Sequence, residues 1–320
     1  MVKLVDTPDL GSGAARLAGS SPVTRTVMKK LFLLITALLC VSMSVMAQPQ
    51  RGMGTQTIKL WPDGNPETDY VARPTDFQRR VLPEGYMEPK LEVYKAQQPN
   101  GICILECPGG GYTMLSDTHE GRQMADWFNS LGITYCVLEY RMPFGFSQVP
   151  IHDAERAMQI IREHSAEWGV KTIGVMGCSA GGHLASTLAT HYTSDATRPD
   201  FQILMYPVIT MDKTYTHMGS RENLLGTEPD AKLVSEYSNE LHVNASTPPA
   251  IMILSADDNT VDPKNSIEYY YALRKAGVSA SLHIYPMGGH GYGNGDRFPY
   301  KRQWTAEVEK WLMQFVTRNK

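Results

Sequence analysis

The chain has 320 residues, of which 42% are hydrophobic and 20% are charged, and its formal net charge is −3. This is the composition of a globular protein, and the length suits one sizeable domain better than two large ones. Lysine and arginine are scattered along the chain rather than clustered, which excludes a basic surface for nucleic acid.

The N-terminal region is typical of an export signal. Residues 28–30 are Met-Lys-Lys, residues 31–45 form an uncharged apolar run, and Val45-Met46-Ala47 places small side chains at both positions that a cleavage site requires. This combination predicts a secretory signal peptide over residues 28–47. The apolar run is shorter than the ~20 residues of a membrane-spanning helix, so we expect no stable membrane insertion.

A signal peptide begins with its own methionine, and we therefore interpret residues 1–27 as a mis-assigned upstream start. The remaining residues 48–320 would form the mature domain, in the periplasm or outside the cell. An exported protein could pair the four cysteines that this part of the chain carries. All four lie in or beside apolar, strand-like runs, which favours small buried side chains over disulfides.

Apolar runs alternate with helical patterns along residues 48–320. The predicted strands are 91–95, 102–106, 133–140, 172–176, 201–209, 250–255 and 281–285. The predicted helices are 151–168, 180–191, 263–275 and 301–316. Such alternation predicts an α/β fold, with a mostly parallel sheet flanked by helices and ligand bound at the carboxyl ends of the strands. Residues 210–249 form a polar excursion between two core strands, which suggests a small cap.

A Gly-x-Ser-x-Gly pattern centred on Ser179 follows the predicted strand 172–176 and precedes an alanine-rich helix. A nucleophilic serine on a sharp strand-to-helix turn needs very small neighbours, which Gly177 and Gly181 supply. A turn of the same kind centred on Cys178 would need glycines at positions 176 and 180, which hold Met176 and Ala180. We therefore expect the thiol to point into the core. The pattern therefore favours Ser179 as the nucleophile.

A glycine-rich loop follows the strand 102–106 and begins at Pro108. Attack on an ester carbonyl places negative charge on its oxygen, which backbone N–H groups can stabilise. We predict that the N–H groups of Gly110, Gly111 and Ala180 form this oxyanion hole. Such loops usually begin with histidine, and Pro108 stands there instead, but the donors are backbone groups.

The base and its partner acid should follow the nucleophile in the order Asp, then His. Asp258 follows the strand 250–255, and His290 lies among glycines after the strand 281–285. Asp257 is the competing acid. We favour Asp258 because Val261 stands three residues beyond it, the spacing usual for this acid, and we expect Asp257 to cap its own turn. A further buried pair, Arg141 with Asp153, is predicted to be structural.

Several segments together resemble the acetylxylan esterase and lipase-like branch of the α/β-hydrolases from polysaccharide-degrading bacteria. The matching segments are 108–112, 119–121, 140–143, 177–183, 216–221, 247–249 and 288–292. The resemblance implies an α/β-hydrolase fold and removal of acetyl groups from xylan or its oligosaccharides, with no metal and no cofactor.

Other functions remain open at this level. A feruloyl esterase or another small-ester carboxylesterase would use the same residues. A serine peptidase of the prolyl oligopeptidase type would carry a propeller domain, for which too little chain precedes the glycine-rich loop. A non-catalytic sugar-ester binding protein would be expected to lack one of the three polar residues. The polar excursion favours acetyl over longer acyl groups, with Tyr215 and Tyr237 its only candidates for stacking on a feruloyl ring. The sequence does not define the oligomeric state.

Overall fold

The computed structural model describes residues 53–318. The interpretations of residues 1–27 as an upstream start and 28–47 as a signal peptide lie outside the described residues. Within the described range, no helix is long and apolar enough to cross a membrane.

Eight strands form one sheet in the order β1-β2-β4-β3-β5-β6-β7-β8. They are β1 (Met53–Lys59), β2 (Lys90–Lys95), β3 (Ile102–Cys107), β4 (Thr134–Glu139), β5 (Thr172–Cys178), β6 (Phe201–Met205), β7 (Ala250–Ser255) and β8 (Ala280–Tyr285). Strand β2 pairs antiparallel with β1 and with β4, and every other pair is parallel. The mostly parallel sheet predicted from the sequence is confirmed.

Helices cover both faces of this sheet. They are α1 (Asp76–Val81), α2 (Ala125–Ser130), α3 (Gln148–Glu163), α4 (Ser165–Trp168), α5 (Ala180–His191), α6 (Met218–Leu225), α7 (Ala231–Glu236), α8 (Lys264–Lys275) and α9 (Lys301–Arg318). Helices α3, α5 and α8 pack on one face, and α2 and α9 pack on the other. The central strands are apolar without alternation because both of their faces are buried, as expected for parallel strands in this setting.

Several elements differ from the sequence prediction. Helix α2 was not predicted, and the predicted helix 151–168 is divided into α3 and α4. Strand β6 ends at Met205 rather than at residue 209, because Tyr206 has a φ of 37° and Pro207 has no N–H for the next strand to use. Strand β1, which begins at Met53, was not among the predicted strands. Helix α1 was not predicted, and it begins with a capping box between Thr75 and Gln78.

The excursion 210–249 contains α6, α7 and the 3₁₀ turn Asn239–Leu241, and no strand. Its beginning is tied to helix α8, because the Asn265 side chain accepts hydrogen bonds from the N–H groups of Ile209 and Thr210, at 3.0 and 3.2 Å. The excursion is therefore an anchored pair of short helices beside the carboxyl ends of β6 and β7.

The predicted ion pair between Arg141 and Asp153 is confirmed. Both side chains are fully buried, and Arg141 Nη2 lies 2.7 Å from Asp153 Oδ1. The indole of Trp61 donates a second hydrogen bond to the same carboxylate oxygen at 2.7 Å. The pair links the end of β4 to helix α3.

Candidate active site

The sheet register brings the polar loops to one edge. Cys107 at the end of β3 pairs with Gly177 near the end of β5, so the glycine-rich loop and the Ser179 turn leave the sheet side by side. The last residues of β7 and β8 are also paired, which places the segments carrying Asp258 and His290 next to each other. Parallel strands thereby gather four separate loops at their carboxyl ends.

Ser179 lies between β5 and α5 with a φ of 55° and a ψ of −119°. Its N–H donates to the Met205 carbonyl and its own carbonyl accepts from the N–H of Val208, both at 3.0 Å. Side chains at the flanking positions would collide with backbone: a Cβ on Gly177 would meet the Gly181 carbonyl, and one on Gly181 would meet the Cys107 carbonyl. Glycines here allow a strained turn that residues on both sides hold in place.

Three polar side chains form a continuous hydrogen-bonded line. The His290 Nδ1–H donates to Asp258 Oδ2 at 2.7 Å, which leaves Nε2 unprotonated to accept from the Ser179 hydroxyl at 2.8 Å. Ser179 is 6% exposed and Asp258 is 7% exposed. An acid that fixes the imidazole tautomer and an imidazole that accepts the hydroxyl proton form the arrangement needed to activate a serine.

The two adjacent aspartates are held differently. The second oxygen of Asp258 accepts from the N–H groups of Thr260 and Val261, both at 2.9 Å, so the carboxylate is fixed from two sides. Asp257 is exposed and accepts from the N–H of Gly289 at 2.8 Å, a bond that lowers the pKa of its carboxyl. Asp257 therefore holds the loop that carries the imidazole, rather than capping its own turn as expected.

Cys178 is fully buried beneath the turn, as the sequence register predicted. Burial, together with the nearby carboxyl groups of Glu106 and Glu120, raises the pKa of its thiol well above the usual range. A thiol is a nucleophile only as the thiolate, so this side chain remains unreactive beside Ser179.

The glycine-rich loop curves over the Ser179 hydroxyl. Gly110 and Gly111 line the same cleft as Ser179 and His290, and their φ angles of 126° and 66° are accessible mainly to glycine. Ala180 is the first residue of α5, where N–H groups lack partners within the helix. The loop start is held by the Tyr140 hydroxyl, which donates to the Pro108 carbonyl at 2.7 Å.

His183 anchors the other end of this loop. Its Nε2 donates to the Tyr237 carbonyl at 2.8 Å, so its Nδ1 accepts from the Tyr112 hydroxyl at 2.9 Å. Complete burial lowers the pKa of His183 to about 4, which keeps the ring neutral and able to accept this bond. His183 therefore has a structural role, which is to fix the position of the glycine-rich loop.

The cleft has a volume of about 340 Å³ and opens to solvent. The excursion contributes His217, Gly219 and Asn223 to its lining. Asn223 donates from Nδ2 to the Gly111 carbonyl at 2.9 Å and to the Thr113 hydroxyl at 2.6 Å. The charged residues that made the excursion appear polar in the sequence do not line the cleft, and the excursion contacts the site through neutral groups.

His217 presents a hydrogen-bond donor to this cleft. The N–H of Ser220 donates to His217 Nδ1 at 3.2 Å, which caps helix α6 and leaves the ring proton on Nε2. Burial and the nearby His290 lower the pKa of His217, so the ring is neutral. His217 lies in the segment 216–221, one of the segments on which the family resemblance rests.

Two apolar side chains, Phe77 from α1 and Met114 from the glycine-rich loop, also line the cleft. Phe77 was not predicted. The capping box of Thr75 and Gln78 signals a helix start there, but no local pattern relates Phe77 to the distant site residues. Tyr215 and Tyr237, the predicted stacking candidates, are not part of the lining: Tyr215 packs under Lys264, and Tyr237 is buried against His183.

Within residues 53–318, no group of three or more His, Cys, Asp or Glu side chains is placed to hold a metal ion. A mostly parallel sheet, a strained serine turn after its fifth strand, and an aspartate and histidine after later strands together define an α/β hydrolase. A model of the alpha/beta hydrolase fold family matches residues 104–294. The chain belongs to this family.

The resemblance to acetylxylan esterases is confirmed by one of two curated relatives. The chain is 42% identical to the acetylxylan esterase of Xylanibacter ruminicola over 229 residues, which cover 70% of this chain and 48% of that protein. It is 35% identical to endo-1,4-beta-xylanase B of Butyrivibrio fibrisolvens over 206 residues, which cover 59% of this chain and 32% of that protein. The chain thus spans about half or less of the length of these relatives.

Solved structures show the same architecture. An acetyl ester-xyloside bifunctional hydrolase from Caldicellulosiruptor lactoaceticus is 36% identical with a TM-score of 0.71, over 81% of this chain and 96% of that chain. A sugar hydrolase from Lactococcus lactis is 26% identical with a TM-score of 0.64, over 75% of this chain and 98% of that chain.

Proposed function

We propose that this protein is a serine carboxylic ester hydrolase that removes acetyl groups from xylan or from other plant-polysaccharide oligosaccharides. The observation that carries the proposal is the line of hydrogen bonds from Asp258 through His290 to Ser179, beside a glycine-rich loop. The arrangement provides a nucleophile, a base and an acid that fixes the base, which are the groups that acyl transfer requires.

In the proposed reaction, His290 Nε2 takes the hydroxyl proton as Ser179 Oγ attacks the ester carbonyl. The oxyanion of the tetrahedral intermediate accepts hydrogen bonds from the N–H groups of Gly110, Gly111 and Ala180. His290 then protonates the leaving sugar oxygen, the bond from the acyl carbon to that oxygen breaks, and an acyl-serine remains. Water deprotonated by His290 attacks this acyl group, and acetate leaves as the serine hydroxyl is restored.

The substrate proposal rests on the cleft and on the relatives. A sugar ester has an acyl group of two carbons and an alcohol rich in hydroxyl groups. The cleft is open and small, and the excursion lines it with neutral groups. The Nε2–H of His217 can donate to a sugar oxygen, and Phe77 can pack on the apolar face of a sugar ring. The relatives at 42% and 36% identity are named for acetylxylan and acetyl ester-xyloside hydrolysis.

A feruloyl esterase is the second candidate, because Phe77 and Met114 give the cleft an apolar side. A phenolic acyl group stacked on Phe77 would use the same three catalytic groups. Comparison of kcat/KM for acetyl, butyryl, octanoyl and feruloyl esters distinguishes the two. We expect the maximum at acetyl. In a matching apolar pocket each added methylene contributes about 0.8 kcal/mol, so a long-chain site would instead show rising values with length.

The reaction type is tested by replacing the nucleophile. Ser179→Ala should lower kcat for acetylated xylo-oligosaccharides by about four orders of magnitude or more, and should abolish labelling by a fluorophosphonate probe, because the three groups act as a unit. Circular dichroism controls for folding. Activity of Ser179→Ala within tenfold of the parent would refute the assignment. Labelling of the parent enzyme also argues against a non-catalytic binding protein.

We further propose that the protein is exported and loses residues before Gln48. The basic, apolar and small-residue pattern of residues 28–47 supports this. Mass spectrometry of the protein purified from its native host should find Gln48 at the N-terminus. An N-terminus upstream of Met28 would contradict the proposal.

A further inference from the structure

Glu120 is a buried acid that the reaction as described does not use. It is 3% exposed, and it lies on the segment after the glycine-rich loop, at the wall of the cleft. Burial raises the pKa of this carboxyl, while the nearby His290 acts in the opposite direction. An ionisable group buried beside a catalytic centre costs stability unless its oxygens are hydrogen-bonded, so the partners of Glu120 indicate what it does.

One oxygen of Glu120 binds the glycine-rich loop. The N–H of Gly109 donates to Glu120 Oε2 at 3.1 Å, and the Gly109 carbonyl accepts from the N–H of Ser116 at 2.9 Å. A Cβ built on Gly109 would lie 3.0 Å from Ser179 Cβ and would collide with the Glu120 carboxylate. Gly109 is therefore wedged between the carboxylate and the nucleophile, directly before the two glycines proposed as oxyanion donors.

The other oxygen of Glu120 reaches the histidine loop through Tyr206. The Tyr206 hydroxyl donates to Glu120 Oε1 at 2.8 Å and accepts from the N–H of Gly293 at 2.8 Å. The Tyr206 ring also packs edge-on against the His290 ring, with centroids 4.8 Å apart. A backbone bond runs in parallel, from the N–H of Asn294 to the His119 carbonyl at 2.9 Å.

These bonds form one chain, which we name the Glu120 bridge: Gly109 N–H, the Glu120 carboxylate, the Tyr206 hydroxyl and Gly293 N–H. It connects the glycine-rich loop to the loop that carries His290, and these two loops must keep their spacing during catalysis. The oxyanion donors and the imidazole lie on different loops, and the peptide segments between them are long. A carboxyl group has two oxygens that can bond two loops at once, which suits Glu120 to this task.

We propose that Glu120 is a positioning residue, which sets the distance between the glycine-rich loop and His290 through its hydrogen bond with Tyr206. The inference rests on the proposed ester hydrolysis at Ser179. It concerns the rate of the chemical step, because the bridge positions groups that act on the reacting atoms. Misplacement of reacting groups by about 1 Å can cost about 100-fold in rate.

The test compares Tyr206→Phe, Glu120→Gln and the double variant, with Tyr292→Phe as the matched control. Tyr206→Phe removes the bridging hydroxyl but keeps the ring on His290. Glu120→Gln keeps the shape but offers one acceptor oxygen to two donors. Tyr292 is a neighbouring buried tyrosine whose ring packs on Tyr206 at 4.6 Å and whose hydroxyl is outside the bridge.

We expect each single variant to lower kcat for a short nitrophenyl ester by about 10- to 100-fold, with KM within about threefold, because loop placement and not ester binding is lost. The double variant should be no worse than the more damaged single variant, since either change breaks the same bridge. Tyr292→Phe should keep kcat within about twofold. Thermal unfolding of each variant shows whether the fold is kept. If Glu120→Gln does not fold, kcat of Tyr206→Phe tests the proposal by itself.

The inference is overturned if the folded single variants keep parental kcat, if their losses multiply in the double variant, or if the loss lies in KM. Ser179→Ala, measured in the same assay, distinguishes failure of the positioning role from failure of the proposed ester hydrolysis at Ser179. If Ser179→Ala is inactive while the bridge variants match the parent, only the positioning role falls. If Ser179→Ala stays active, the proposed ester hydrolysis at Ser179 is refuted, and the positioning role of Glu120 is refuted with it.

Discussion

The pair of adjacent aspartates allows a matched test of the site. In Asp258→Asn, the amide replaces a carboxylate that accepts from His290 Nδ1 at 2.7 Å and from two backbone N–H groups at 2.9 Å each. The two backbone donors favour keeping the amide oxygen toward them, so the amide NH₂ would face the imidazole. The imidazole would then hold its proton on Nε2, where it cannot accept the Ser179 proton.

The magnitude follows from this change of tautomer. The corresponding substitution in a serine protease lowers kcat by about 10⁴-fold, which corresponds to about 5.5 kcal/mol in the barrier. We expect a loss of the same order for Asp258→Asn with acetylated xylo-oligosaccharide or with a nitrophenyl acetate. Asp257→Asn should cost less than about tenfold, because the exposed side chain keeps an oxygen to accept from Gly289 N–H.

The assay is kcat for both variants across pH 6 to 9, with circular dichroism to show that each is folded. Activity of Asp258→Asn within tenfold of the parent, or greater damage from Asp257→Asn, would refute the reasoning.

Three further predictions address the turn and its supports. Cys178→Ala should keep kcat within about threefold, because the buried thiol does not face the cleft; a collapse to the level of Ser179→Ala in a folded protein would contradict this. Gly181→Ala should destabilise the fold by about 3 kcal/mol in urea unfolding and abolish activity, since its Cβ would overlap the Cys107 carbonyl; parental stability would show that the turn can shift. His183 should make the free energy of unfolding depend on pH. Its pKa of about 4 in the folded state lies below the usual value, so the unfolded state binds more protons between pH 6.5 and 4. Stability is therefore lost as the pH falls through that window. Urea unfolding at pH 5.5 should therefore lose about 1 kcal/mol relative to pH 7.5, and His183→Gln should lose this component while other groups keep theirs.

The local parts of the molecule were predictable from the sequence. The alternation of apolar strands and helices follows from side-chain periodicity within short windows, so the parallel sheet and the bounds of helix α5 agree with the prediction. The Ser179 turn was also predictable, because close backbone approach restricts Gly177 and Gly181 to glycine. Even the choice of Asp258 over Asp257 came from spacing, and the structure places Asp258 against His290.

The contacts between distant segments were decided only by the tertiary structure. Tyr206 and Glu120 are 86 residues apart, and no local pattern relates them; their hydrogen bond exists because strands β3, β5 and β6 end at the same edge of the sheet. Phe77 reaches the cleft from a helix of six residues, and Asn223 reaches the glycine-rich loop from the excursion. Periodicity and turn chemistry depend on neighbours along the chain, whereas the lining of a cleft depends on which loops the sheet order brings together.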